Sequence, residues 1–196
     1  MQPETFRAAA QTFSAILLAG GQSTRMGQDK AALAFGKQTL LTHQLQKLEA
    51  LGAGDLMISG WKEPAATARL IPDETPHQGP LGGICACLRA AKYDTVLFLS
   101  VDVPLIPAET LRSLLRAHDG GVTLLTVGEK CEPLIAVYDR SVLPEAEAVL
   151  RSENRAVKRL LERVSVCGVP YTGDPDLLLN CNTPAEFAEA KKKGLL

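Results

Sequence analysis

The sequence predicts a three-layer α/β/α domain built on a mostly parallel sheet with one antiparallel strand. Short β-rich runs alternate with amphipathic helical stretches, the order that builds strand–helix–strand units. The first apolar run, Phe13 to Leu18, leads directly into glycines. Two later runs, Val122 to Val127 and Pro133 to Tyr138, are joined by a turn through Gly128-Glu129-Lys130, too short for a parallel crossover.

The remaining elements follow in chain order. Leu41, Leu45, Leu48 and Leu51 recur at helical spacing, and Gly52 stops that helix. Leu56 to Ser59 reads as a second strand, and Arg69 to Ile71 as a third, ended by Pro72. Gly79-Pro80-Leu81-Gly82-Gly83 reads as a turn opening a helix that runs to about Lys92. Thr95 to Ser100 is apolar on both faces and reads as a buried central strand. A helix is expected from Pro107, since proline suits a first helical turn. Pro144 to Leu161 reads as mostly helical and Val164 to Val169 as extended. Thr183 to Lys193 reads as a helix, with Thr183 as its cap and Pro184 at its first position. No linker, internal repeat or low-complexity run interrupts the pattern. Residues 12–196 are therefore expected to form one domain, behind a flexible leader of residues 1–11.

Composition narrows the function classes. Of 196 residues, 46% are hydrophobic, ample for a sizeable core. The 21 basic and 22 acidic side chains leave a net charge of -1, which argues against a nucleic-acid groove or an anionic membrane partner. Five cysteines, an odd count, read as reduced thiols in a reducing compartment, the cytoplasm. No apolar stretch approaches the length of a membrane span. Met1 to Gln11 includes Glu4 and lacks the charged-then-apolar design of a secretion signal.

The run Leu17-Leu18-Ala19-Gly20-Gly21-Gln22-Ser23-Thr24-Arg25-Met26-Gly27, followed by Asp29-Lys30, carries the strongest chemical signal. It leaves a buried strand at the carboxyl edge of the sheet, where open α/β sheets bind ligands. Gly20 and Gly21 can turn consecutive N–H groups toward one anion. Arg25 can grip phosphate oxygens in two places, and Lys30 adds a point charge. The P-loop pattern fails, because Gly36-Lys37 is followed by Gln38 and has Ala31 where a glycine is required. The dinucleotide fingerprint fails too, because the glycines are adjacent. The alternative is a glycine turn with scattered surface charges. Beyond the central strand, Asp102 in Val101-Asp102-Val103-Pro104 offers a carboxylate where magnesium could join nucleotide phosphates. A turn aspartate before proline is its alternative. Asn180 and Asn182 share a face if their segment is extended, and can bind phosphate, pterin or ribose. Asn182 could equally only help to cap the following helix.

The L-A-G-G-x-S-x-R-M-G-x-D-K run resembles the signature of the molybdenum cofactor guanylyltransferase family, and is similar in kind to the loop of sugar-nucleotide pyrophosphorylases. The similarity extends from about Thr12 onward. It implies a Rossmann-like sheet of the nucleotide-diphospho-sugar transferase type. It also implies transfer of GMP from GTP to the terminal phosphate of molybdenum-bearing molybdopterin, with magnesium as cofactor and pyrophosphate released. Arg25, Lys30 and Asp102 would be catalytic, with Asp102 holding the metal. Leu18, Ala19, Gly20, Gly21, Lys30, Ser59, Asp73, Gly79, Pro80, Leu81 and Asp102 would contact the nucleotide. Asn180 and Asn182, in an Asn-x-Asn-Thr-Pro element, would contact the acceptor. The expected partners are GTP and molybdopterin, with other cofactor-biosynthesis and molybdoenzyme-maturation proteins, and the expected state is a monomer. Leu-Ala-Gly-Gly with Gly79-Pro80-Leu81 points to guanine, where cytidylyl-transferring relatives read Leu-Ala-Ala-Gly. Glu132 stands where the family usually has histidine, and Ser59 where it often has asparagine.

Competing readings are a cytidylyl- or sugar-phosphate-transferring relative, a non-catalytic GTP-binding regulator and a docking module with a vestigial site. His43, His77 and His118 show no ligand spacing. Cys85 and Cys87 point about 200° apart around a helix and read as core. Cys181 has no activating arrangement. Arg151, Arg155, Lys158 and Arg159 read as a solvated basic face.

Overall fold

Apolar runs become strands here where both faces can be covered by helices. The computed structural model describes residues 12–20, 30–72 and 79–194. In chain order its elements are β1 (Ser14–Leu18), β2 (Ala34–Phe35), β3 (Gln38–Thr39), α1 (Leu40–Ala50), β4 (Asp55–Ser59), β5 (Arg69–Ile71), α2 (Gly79–Ala90), β6 (Thr95–Ser100), α3 (Ala108–Ala117), β7 (Val122–Val127), β8 (Lys130–Asp139), α4 (Leu143–Leu150), α5 (Val157–Leu161), β9 (Val166–Pro170) and α6 (Pro184–Gly194). Lys30–Ala32 form a single 3-10 turn ahead of the β2–β3 hairpin.

Among the described residues, seven strands make one sheet in the order β5-β4-β1-β6-β8-β7-β9, and β8 alone of them runs against its neighbours. Alternation along β1 assigns the two faces. Ala15 and Leu17 pack with Leu41, Leu45 and Leu48 of α1, Leu111 and Leu114 of α3, and Ala190 of α6. Ile16 points the other way, among Leu81, Ile84 and Leu88 of α2, Ala146 of α4 and Leu160 of α5. The chain passes outward from β1 to β4 and β5, then returns through α2 to β6 on the other side of β1. That reversal makes the carboxyl end of β1 a topological switch point. Four strands stop there on one rung: Leu18 is paired with both Ser59 and Ser100, and Ser59 with Ile71.

Several sequence expectations are corrected. The Gly79–Gly83 turn is itself the first part of α2, whose opening residue Gly79 has φ +65°. Pro107 caps α3 with an extended backbone and is not its first helical residue. β8 begins at Lys130 and passes through Pro133; its register against β7 jumps from Ala136 to Glu132, because proline has no N–H for the ladder. The Tyr138 hydroxyl donates to the Pro133 carbonyl at 2.9 Å inside that bulge. The 144–161 stretch splits into α4 and α5, with Ser152 Oγ donating to the Val149 carbonyl at the break. The helix stop at Gly52 has φ +87°.

Candidate nucleotide and acceptor site

Beyond the common rung, the ends of β1 and β4 meet backbone to backbone. The Ser59 carbonyl accepts the N–H groups of Ala19 at 2.9 Å and Gly20 at 3.2 Å. A Cβ on Gly20 would lie 2.9 Å from the Gly60 Cα, and one on Gly60 only 2.2 Å from the Gly20 Cα. Gly60 also has φ +77°, so glycine is required on both sides of this contact. The approach presents the Gly20 backbone at the surface while Ala19 stays buried and Leu18 half-buried.

The loop after β6 is stitched to the same edge. Val101 N–H donates to the Leu18 carbonyl at 3.0 Å, and the Asp102 N–H to Ser100 Oγ at 3.3 Å. From the far end of the chain, the Cys181 N–H donates to the Asp102 carbonyl at 2.8 Å. Asp102 Oδ1 then receives Lys30 Nζ at 2.7 Å, and the same ammonium reaches Asn182 Oδ1 at 3.1 Å. Lys30 is only 7% exposed, and a buried ammonium is tolerated where its charge is paired and hydrogen-bonded. The Asp102 side chain keeps 33% exposure. An ammonium has three protons, so one remains for an incoming oxygen among the described residues. Asp102 Oδ2 likewise has no protein partner among them, which leaves a hard oxygen unengaged on a part-exposed side chain.

Asn182 is aimed by the start of α6. Thr183 Oγ1 accepts the Glu186 N–H at 3.3 Å, while a Glu186 carboxylate oxygen accepts the N–H groups of Asn182 and Thr183, each at 2.8 Å. This is a reciprocal capping box extended by one residue. The Asn182 N–H foremost, and then the Thr183 hydroxyl, hold the Glu186 carboxyl below its ordinary range. Cys181, wholly buried between the two asparagines, has its thiol pushed up to about 12. Burial is the main cause, with Asp102 and Glu186 adding to it against the Lys30 charge. It is no nucleophile at neutral pH.

The structure thus brings together Lys30, Asp102, Asn182 and the Leu18–Gly20 backbone. Gly79 and Pro80 are exposed at the opening of α2, whose first turns lie beside β4. A Cβ on Gly83 would stand 3.0 Å from Ser59 Oγ. Ser59 and Leu81 are themselves buried, so they support the edge from beneath. Asn180 is exposed beside Cys181. Gly21, Arg25 and Asp73 lie outside the described residues. Sequence reasoning missed Gly60, the Ser100 hydroxyl, the Cys181 N–H and Glu186. Only two carried a signal, a glycine directly after a strand and a Thr-x-x-Glu spacing. Among the described residues no group of three or more His, Cys, Asp or Glu could hold a metal ion, and no helix is long and apolar enough to cross a membrane.

Comparison with known proteins gives a consistent result. A family model described as a MobA-like NTP transferase domain matches residues 15–167. A protein of Carboxydothermus hydrogenoformans named a probable molybdenum cofactor guanylyltransferase is 34% identical, over 93% of this chain and 96% of its own length. The molybdenum cofactor guanylyltransferase of Vibrio cholerae is 32% identical over 89% of each chain. Among solved structures, the molybdopterin-guanine dinucleotide biosynthesis protein A of Archaeoglobus fulgidus superposes with a TM-score of 0.76 at 23% identity, covering 92% of this chain and 98% of that one. The 4-diphosphocytidyl-2C-methyl-D-erythritol synthase of Anaerococcus prevotii gives 0.74 at 14% identity, covering 95% and 97%. Both structural likenesses concern the fold alone.

Proposed function

Since the chain belongs to the family of MobA-like NTP transferase domains, we propose that it is a molybdenum cofactor guanylyltransferase, moving GMP from GTP to the terminal phosphate of molybdenum-bearing molybdopterin. The observation that carries the reading is the reach of Lys30 Nζ to both Asp102 and Asn182. One buried cation thereby joins the nucleotide edge of the sheet to the segment assigned to the acceptor.

In the reaction an acceptor phosphate oxygen attacks the α-phosphorus in line. A new O–P bond forms, the bond to the bridging α–β oxygen breaks, and pyrophosphate leaves. Two anions must approach each other, so charge neutralisation and alignment carry the catalysis. Lys30 donates to phosphate oxygens, and the Gly20 backbone, with Gly21 and Arg25, cradles the triphosphate. Asp102 fits magnesium as a single carboxylate with one oxygen unengaged, since this ion takes one or two carboxylates and completes its shell with phosphates and water. When bound, magnesium supplies positive charge at the phosphates. Gly79 and Pro80 border the base, with Asp73 as a further nucleotide contact, and Ser59 and Leu81 hold the backbone that lines its pocket. Asn180 and Asn182 receive the acceptor. Residues 12–196 act as one domain, a monomer in the cytoplasm, exchanging cofactor with biosynthesis and molybdoenzyme-maturation proteins.

The test is pyrophosphate release from each of the four NTPs, with and without molybdenum-bearing molybdopterin and magnesium. Release from GTP only, requiring both additions, is expected. Preference for CTP would move the protein to the cytidylyl-transferring relatives, and GTP binding without release with any acceptor would make it a regulator.

A further inference from the structure

One face of α1 forms the inner wall of the loop that carries Asp102. The amide nitrogen of Gln44 lies 3.1 Å from the Val103 carbonyl and 3.4 Å from the Ser100 carbonyl. One turn along, Lys47 Nζ donates to the Pro104 carbonyl at 2.7 Å, and His43 Nε2 lies 3.1 Å from the same oxygen. Gln44 is wholly buried among Leu40, Leu41, Leu45 and Leu48, all core residues. A leucine would cover that face without desolvating an amide. The amide is also only half used, because Gln44 Oε1 is buried with no hydrogen-bond partner among the described residues. Core packing therefore gives no reason for a glutamine here. The gain lies in its NH2 group, which pins one carbonyl before Asp102 and one after it, fixing the peptides between them.

The same helix sets the other half of the pair. Leu40, its first residue, donates its N–H to the Leu33 carbonyl at 2.9 Å, and Leu33 N–H donates to the Lys30 carbonyl at 3.1 Å. α1 thus spans from the Lys30 turn to the Asp102 loop. We propose that Gln44 is a positioning residue for nucleotidyl transfer: its amide aims the Asp102 carboxylate relative to Lys30, governing turnover and cation affinity and leaving GTP affinity alone. The kinetic half of this rests on the guanylyltransferase reading; the geometric half does not.

The test compares the full-length wild type with Q44M, which keeps side-chain length and removes both donors, and Q44E, which keeps shape and replaces the donors with a carboxylate. In Q44M, kcat per folded molecule should fall about 10-fold, with KM for GTP within about 2-fold, as expected for a catalytic group displaced by a fraction of an ångström. Manganese affinity in the presence of GTP, read from the spin signal of the free ion, should weaken by roughly 5-fold on the same misalignment. Amide hydrogen exchange at Cys181, whose N–H is held by the Asp102 carbonyl, should quicken about 10-fold in the free protein. A carboxyl facing two carbonyls is protonated more readily and then regains one donor, so Q44E activity relative to wild type should recover as pH falls, unlike that of Q44M. Wild-type kcat and wild-type exchange in folded Q44M would overturn the proposal. If Q44M fails to fold, the pH recovery of Q44E decides, and a flat ratio counts against it. A wild type that releases no pyrophosphate from GTP would instead sink the guanylyltransferase reading, while the exchange measurement would still judge the role of Gln44.

Discussion

Lys30 and Asp102 stand 72 positions apart in sequence and 2.7 Å apart in space, and each explains the other. The carboxylate offsets the cost of burying the ammonium, and without the ammonium an anionic substrate would meet Asp102 uncompensated. Asp102→Asn should keep the fold, since an amide oxygen can still accept from Lys30, yet lower turnover by about 10³-fold, the scale of losing one preorganised charge contact. Retained turnover in a magnesium-supplemented assay would remove Asp102 from the mechanism. Lys47 gives a pH signature of a different kind. Burial lowers its pKa to about 8, against roughly 10.4 in an unfolded chain. Between those values the unfolded chain binds the extra proton, so stability should rise as pH climbs from about 8 toward 10. Denaturant titrations of Lys47→Met across that range should lack the rise. At this scale Lys30, Asp102 and Asn182 could be read from motifs. Gln44 could not, because it occupies an apolar helical stripe and its partners are carbonyls, which no side-chain pattern reports.

Elements hold these side chains at both ends of the sheet. At the end away from the cleft, Asp55 of β4 accepts from Ser14 Oγ at 2.9 Å, from the Lys92 N–H at 3.1 Å and from Arg69 of β5 at 2.8 Å. Burial alone would raise the Asp55 carboxyl, but the Arg69 guanidinium with these other donors outweighs it and holds the pKa low. Asp55→Ala should cost roughly 1–3 kcal/mol, chiefly by taking the acceptor from the buried Ser14 hydroxyl. A carboxyl held low contributes fully above its unfolded pKa, so the deficit relative to wild type should shrink only as pH drops below about 4. A constant deficit in acid unfolding curves would contradict the network. At the cleft end, Glu186→Ala should loosen Asn182 and raise KM for the acceptor several-fold while KM for GTP holds, because only the acceptor segment depends on that capping box. Equal changes in both would place Glu186 outside the acceptor side. The limits of β5, β6 and β7 were readable because apolar runs end at turn residues there. The β2–β3 hairpin was not, since two-residue strands leave no periodicity, and the Pro133 passage of β8 was hidden because a lone proline argues against a strand unless its ladder is known to lapse.

For the whole molecule, chain order decides where chemistry can occur. β1 lies between strands reached by opposite crossovers, and four strands stop on one rung, so the chain leaves all four strands from one edge of the sheet. This much follows from strand–helix alternation, and it explains why the end of β1 and Asp102 could be placed on one edge from sequence alone. The return of residues 180–182 to that edge could not, because it is held by the Cys181 N–H on the Asp102 carbonyl and by Asn182 on Lys30, contacts that strand–helix order does not report. The most direct check follows the α-phosphate itself. GTP radiolabelled at that position should pass its label to molybdenum-bearing molybdopterin in the presence of magnesium with the wild type, and Asp102→Asn should move almost none. Label left on free guanine nucleotide by the wild type, or carried to the acceptor equally well by Asp102→Asn, would contradict a triphosphate cradle built from Lys30 and Asp102.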